Sequence, residues 1–140
     1  WDSITTGPSH ASYAHYKGTS ALSEPESKAL ANLANSANWT MTISYHSMGN
    51  LVYWDFAGNK VAEQSKALAE LVTGITGYRI NRSSGKGGFK DYVQIKDSPI
   101  PSLTIEVGSV ACPMPVSEFG NVWNSNQSIL AALAAYAADH

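Results

Sequence analysis

Thr40-Met41-Thr42-Ile43-Ser44-Tyr45-His46 is the stretch from which the fold is read. Met41, Ile43 and Tyr45 alternate with Thr and Ser, the two-residue period of a strand with one buried face, and His46 follows at its carboxyl end. A second short strand is expected at 51–54, across the link Ser47-Met48-Gly49-Asn50. A third is expected in Leu103-Thr104-Ile105-Glu106-Val107-Gly108, where Leu103, Ile105 and Val107 share one face and Glu106 takes the other.

Helices fill the gaps. Ser23-Glu24-Pro25-Glu26 has the spacing of a capping box, and Leu30, Leu33, Ala34 and Ala37 then predict a buried stripe running to about residue 38. Asn59 is placed to cap a second helix, carried by Val61, Ala62, Leu68, Leu71, Val72 and Ile75 until Gly74 and Gly77 end it. Residues 78–98 read as loop around Ser83-Ser84-Gly85-Lys86-Gly87-Gly88, and residues 1–22 as a surface loop. After Cys112-Pro113-Met114-Pro115, one long helix is expected with Val116, Phe119, Val122, Trp123, Leu130, Leu133 and Ala137 on its buried stripe. Strands and helices alternate, so the expected class is α/β, with functional groups gathered at the carboxyl ends of strands.

Composition narrows the function classes. The 140 residues suit one domain, and 44% hydrophobic against 14% charged residues favours a packed core over a disordered chain. The net charge is −2 and the basic residues are scattered, which argues against nucleic acid as a partner. No apolar run is long enough to span a membrane. The amino terminus, Trp1-Asp2-Ser3-Ile4, has neither an initiator Met nor a signal-peptide pattern, so the chain reads as part of something longer.

Two polar residues stand where an α/β fold collects chemistry: His46 and Glu106. A carboxylate between Ile105 and Val107 is costly to bury without a partner or a role, and imidazole with carboxylate on neighbouring strand ends suits metal-assisted hydrolysis. Other motifs are weaker. Gly85-Lys86-Gly87-Gly88 lacks the Gly-Lys-Ser/Thr ending of a phosphate loop, and Ser47 is outside any Gly-x-Ser-x-Gly elbow. Cys112 reads as a buried or incidental thiol, with no second cysteine to make a disulfide or a thiolate metal site. The sequons at Asn38, Asn81 and Asn126 matter only in a eukaryotic secretory route.

Taken together, Thr42-Ile43-Ser44-Tyr45-His46-Ser47-Met48-Gly49-Asn50, Gly87-Gly88-Phe89-Lys90-Asp91-Tyr92 and Thr104-Ile105-Glu106-Val107-Gly108 resemble the C-terminal half of a zinc carboxypeptidase domain of the carboxypeptidase A type. The segment from Tyr13 to Ser23 resembles the loop and helix start before the His-Ser strand of that family. Phe89-Lys90-Asp91-Tyr92 and the tail around Pro113, Pro115, Phe119 and Trp123 resemble the bacterial branch that includes γ-D-glutamyl diamino-acid peptidases. The resemblance implies a partial mixed β-sheet flanked by helices, with the chain as the C-terminal part of a single domain.

In that resemblance His46 matches the third zinc ligand, and Glu106 the general acid/base that activates zinc-bound water and protonates the leaving amine. Ser47 matches a substrate-contacting position. Lys90 lies in the region lining the specificity pocket of relatives, where its ammonium would meet a carboxylate of D-glutamate or diaminopimelate, and Asp91 would orient loop groups. The closing tyrosine of pancreatic-type enzymes has no counterpart, since its position falls near Ser83 with Tyr78 a nearby substitute. Relatives often show a cis peptide at the position of Ser47-Met48.

The departures are as informative. The His-x-x-Glu that supplies the family's first two ligands occurs nowhere in the chain, and its substrate-gripping Asn-Arg pair belongs upstream of Trp1. Three ligands make a catalytic zinc site, so the isolated chain is expected to bind zinc weakly and hydrolyse nothing. The parent would be a zinc peptidase acting on peptide or isopeptide bonds, with peptidoglycan stem peptides as substrate and a secreted or envelope location. The alternative is a truncated, non-catalytic module that binds peptides or a partner. Half a sheet exposes a strand edge, so homo-oligomers through that edge are expected.

Overall fold

The structure, a computed structural model, describes residues 10–13, 16, 18–82 and 87–139. Residues 1–9, 14–15 and 17 of the loop expected over 1–22, and residues 83–86 of the glycine loop, lie outside the described residues. Among the described residues, five α-helices and four strands follow in the order α1 Pro25–Asn35, β1 Thr42–His46, β2 Leu51–Tyr53, α2 Ala62–Thr76, β3 Arg79–Asn81, α3 Phe89–Ile95, β4 Ser102–Glu106, α4 Phe119–Asn126 and α5 Ile129–Asp139. A short 3-10 turn, Val116–Glu118, leads into α4.

The strands form one mixed sheet in the order β1-β4-β2-β3. β1 runs parallel to β4, β4 antiparallel to β2, and β2 parallel to β3. The parallel pairing puts Thr42 opposite Ser102 and His46 opposite Glu106. As expected from the alternation, Leu103, Ile105 and Val107 are buried in the main core with Val52, Leu68, Ala69, Val72, Ile129 and Leu133. Met41, just before β1, and Ile43 of β1 pack against the same core, so Ser44, His46, Thr104 and Glu106 fall on the sheet face turned away from it. A second, smaller cluster joins Ala34 of α1 to Val93 and Ile100, with Phe89 and Tyr92 against it.

Several local expectations are corrected. Pro25 has no N–H to offer and opens α1, which moves the N-cap from Ser23 to Glu24. The Ser23 hydroxyl instead donates to Glu24 Oε1 at 3.0 Å and accepts from the Thr19 amide at 3.1 Å. The buried stripe of α1 is Ala31 and Ala34, while Leu30 and Leu33 are 40% and 51% exposed. Asn59 lies before α2 rather than capping it, its Oδ1 accepting from the Val61 amide at 2.9 Å in an Asx-type turn.

The segment read as loop over 78–98 contains both β3 and α3. All three residues of β3 are exposed, so backbone pairing to β2 makes it a strand without any buried period. α3 buries Lys90, Asp91 and Gln94 beside Val93, and polar residues on a buried face hide the helical signal. The single long C-terminal helix is two, interrupted at Gln127-Ser128. Its expected stripe is only partly inside: Leu133 is 3% exposed, whereas Phe119, Trp123 and Leu130 are 62%, 54% and 70% exposed.

Candidate functional site

β1 and β4 end side by side, which places His46 and Glu106 as register partners at the carboxyl ends of two parallel strands. The ladder continues past them, with the Val107 amide donating to the His46 carbonyl at 2.8 Å. Beyond the strand ends, Gly108 turns the chain at φ +72, and its carbonyl accepts from the amides of Gly49 at 2.7 Å and Asn50 at 3.1 Å. The positive φ favours glycine there, and a Cβ would stand 2.6 Å from Met114 Sδ, so the methionine side chain would have to move. This clasp ties the 47–50 turn to the end of β4.

Ser47 begins that turn, and the Ser47-Met48 peptide is cis. Ser47 Oγ lies 3.6 Å from Cys112 Sγ. Cys112 is exposed, which removes the buried alternative of the expected buried or incidental thiol. His46 also lines an apolar groove of about 570 Å³ whose walls are Leu30, Leu33, Trp39 and Phe89, beside the β1 edge. A second groove, lined by Trp39, Met41, Ile43, Leu130, Leu133 and Ala137, lies on the α5 side of β1. Among the described residues β1 is hydrogen-bonded as a strand to β4 alone.

Lys90 lies one residue after Phe89, but its head is turned inward. It is 4% exposed, and Nζ donates to the Asp55 carbonyl at 2.8 Å, to Asp91 Oδ1 and, at the long distance of 3.5 Å, to Gln94 Oε1. Burial pushes the Lys90 ammonium below its usual pKa, and the hydrogen bond and charge of Asp91 oppose that shift. The structure therefore brings His46, Glu106 and Ser47 together at the strand ends and holds Lys90 beneath the α3 wall.

Sequence reasoning missed the network behind Lys90. Asp55 Oδ2 accepts from Arg82 Nε at 3.0 Å and Nη2 at 2.5 Å, Asn59 Nδ2 donates to Asp55 Oδ1 at 3.2 Å, and the guanidinium lies 5.6 Å over the Trp54 ring. Gln94, completely buried, donates from Nε2 to the Trp54 carbonyl at 2.8 Å and the Ser102 carbonyl at 2.9 Å, with Ser65 Oγ at 3.2 Å. No local pattern signals these partners, which come from different elements. Tyr78, weighed as a substitute for the closing tyrosine, packs against the main core and its hydroxyl accepts from Asn126 Nδ2 at 2.9 Å. That contact commits it to α4.

A metal site requires several converging ligands. No group of three or more His, Cys, Asp or Glu placed to hold an ion exists among the described residues. One imidazole is short of the three protein ligands of a catalytic zinc, so these residues do not fit the ion by themselves.

Comparison with known proteins bears on the same strands. A family model described as zinc carboxypeptidase matches residues 1–128. The chain is similar to gamma-D-glutamyl-L-diamino acid endopeptidase 1 of Lysinibacillus sphaericus, 32% identical over 118 residues, which cover 84% of this chain and 29% of that protein. It is also similar to the uncharacterized protein YqgT of Bacillus subtilis (strain 168), 26% identical over 125 residues, 88% of this chain and 33% of the relative. The chain thus spans about a third of the length of the curated relatives it matches.

Proposed function

We propose, from the premise that this chain belongs to the zinc carboxypeptidase family, that the protein it is part of hydrolyses a peptide or isopeptide bond in peptidoglycan stem peptides. The observation that carries this reading is the register of β1 and β4, with an imidazole and a carboxylate paired at the ends of parallel strands. The endopeptidase named among the relatives supports the substrate class. A cell-wall substrate fits a secreted or envelope location, and no helix among the described residues is long and apolar enough to cross a membrane.

In this reading His46 is one ligand of zinc, the metal supplying Lewis acidity when bound, and its further ligands come from the His-x-x-Glu of a preceding part of the same domain. Glu106 takes up the proton released in hydrolysis and returns it to the leaving amine. Ser47 contacts the substrate beside the ligand. Lys90 is 4% exposed with its ammonium on Asp55, Asp91 and Gln94, so it steadies α3 from within. Alone, the 140-residue chain binds zinc weakly, hydrolyses nothing and associates with itself through the β1 edge.

Intact mass with zinc content is the first test. A chain of 14.9 kDa with substoichiometric zinc is expected, and a complete protein with one zinc per chain. In that complete protein Glu106→Gln abolishes hydrolysis and keeps the metal, whereas His46→Ala loses both. Full hydrolysis by Glu106→Gln would remove Glu106 from the reaction, and a complete protein inert toward stem peptides would favour a binding module.

A further inference from the structure

We propose that Arg79 is a substrate-binding residue of this site, holding a carboxylate of the peptide on the β3 side of Glu106. The inference rests on the reading that the complete protein is a peptidase centred on His46 and Glu106. It is carried by the register of the sheet, which sets one residue from each strand in a single row. His46 stands opposite Glu106, Glu106 opposite Leu51, and Leu51 opposite Arg79. Residues opposite one another in a ladder share a face, and the faces are fixed independently here. Ile105, Val107, Val52 and Tyr78 turn to the main core, so their neighbours Glu106, Leu51 and Arg79 turn away from it together.

A second contact places the guanidinium itself. Arg79 Nη2 donates to the Gly49 carbonyl at 3.2 Å, and the Arg79 amide to the Asn50 carbonyl at 3.0 Å, so side chain and backbone both hold the turn that begins at Ser47. Gly49 in its turn lies against Glu106: a Cβ built there would stand 3.7 Å from Glu106 Cβ and 2.9 Å from Leu51 Cδ2. The cation therefore rests on the same turn that touches the base of the Glu106 side chain.

The chemistry of the row gives that cation its use. Arg82, Lys90 and Lys66 each face a carboxylate, whereas among the described residues Arg79 pairs with none and its side chain meets a neutral carbonyl. A guanidinium carries several N–H donors in a planar fork, so most of them remain for a ligand, and a carboxylate is the acceptor that the fork fits. Leu51 stands between the two charges of the row and no ion pair joins them, so Glu106 stays free for a proton while the guanidinium takes the charge of the substrate. Two strand spacings of about 4.8 Å separate the two residues, roughly the span of three extended residues. An acidic group close in sequence to the scissile bond therefore reaches Arg79 when that bond lies at Glu106. Arg79 is exposed, so the group arrives without displacing any described element.

The test is steady-state kinetics of the complete protein on a stem peptide and on counterparts in which one carboxylate at a time is amidated. Arg79→Met is expected to raise KM for the parent peptide about tenfold, with kcat within about twofold and zinc content unchanged. On the counterpart that lacks the bound carboxylate, wild type and Arg79→Met should agree in KM within about twofold. Arg79→Lys, which keeps the charge without the fork, should recover part of the loss on the parent peptide. An unchanged KM on the parent peptide, an equal rise on every peptide, or a fall in kcat with loss of zinc overturns the proposal and leaves Arg79 a support of the Gly49 carbonyl. Where Arg79→Met does not fold, Arg79→Lys is read in its place: a smaller rise in KM confined to peptides that keep the bound carboxylate supports the proposal, and no rise or an equal rise on all of them overturns it. A wild-type protein inactive on every peptide refutes instead the peptidase reading on which the inference rests.

Discussion

Asp55 takes hydrogen bonds from Arg82 and Asn59 through its carboxylate while its carbonyl accepts from Lys90. Burial opposes its charge, but the hydrogen bonds from Arg82, Asn59 and the Phe56 amide outweigh burial and hold the carboxyl below its usual pKa. A folded-state pKa below the unfolded one contributes stability that is complete above the unfolded value of about 4 and is lost as pH falls through the folded one. Asp55→Asn should therefore flatten the acid side of a melting-temperature profile below about pH 5, and an acid side as steep as wild type would count against it. Next to it, Lys90 and Asp91 form a buried pair. Asp91→Asn strands a buried ammonium and should cost about 3–5 kcal/mol in denaturant unfolding, while Lys90→Met with Asp91→Asn costs less than that single change. None of this was legible in the residues, because Lys90 read equally well as a solvated loop lysine and Asp91 as a group orienting the loop, and only Asp55, far off in the chain, shows where the ammonium goes.

Elements differ in how plainly they announce themselves. β4 was readable because a two-residue apolar period on a half-buried strand has one structural solution, and Leu103 and Ile105 are fully buried as that period requires. Ile105→Ala should cost about 2–5 kcal/mol, measured by chemical denaturation. α5 divides the same way between pattern and packing. Leu133 and Leu130 are both leucines of one alanine-rich run, yet they are 3% and 70% exposed. Leu133→Ala is expected to cost about 2–5 kcal/mol and Leu130→Ala within about 0.5 kcal/mol, and equal costs would mean that α5 turns another face inward. α2 stops at Gly77, which takes φ +70 as a left-handed C-cap, so that end was visible as a glycine after the last apolar position. α3 was not visible, since a seven-residue helix that buries an amide and an ion pair has no apolar stripe to show.

Across the whole molecule β4 and β2 are the inner strands of the sheet, while among the described residues β1 and β3 are paired on one side, and β1 has an apolar groove on each face. From Trp39 to Tyr45 the chain carries no charge and no proline, the devices that normally keep strand edges apart. The isolated chain should run larger than a monomer in solution scattering, and Ser44→Lys, which puts a charge on that edge, should shift it toward the monomer. A monodisperse wild-type monomer would show that the edge does not pair. By itself the sequence determined the α/β class, the strand that carries His46, the strand that carries Glu106 and the face on which Glu106 lies. Those follow from periods of two to four residues, which local sterics and solvent exclusion impose wherever they occur. Only the tertiary structure decided that β1 and β4 are adjacent and parallel with His46 opposite Glu106, that Tyr78 belongs to α4's side of the core, and that Gln94 stands behind Lys90. Such pairings join residues far apart in the chain through backbone ladders and buried hydrogen bonds, and no local propensity specifies which distant donor meets which acceptor.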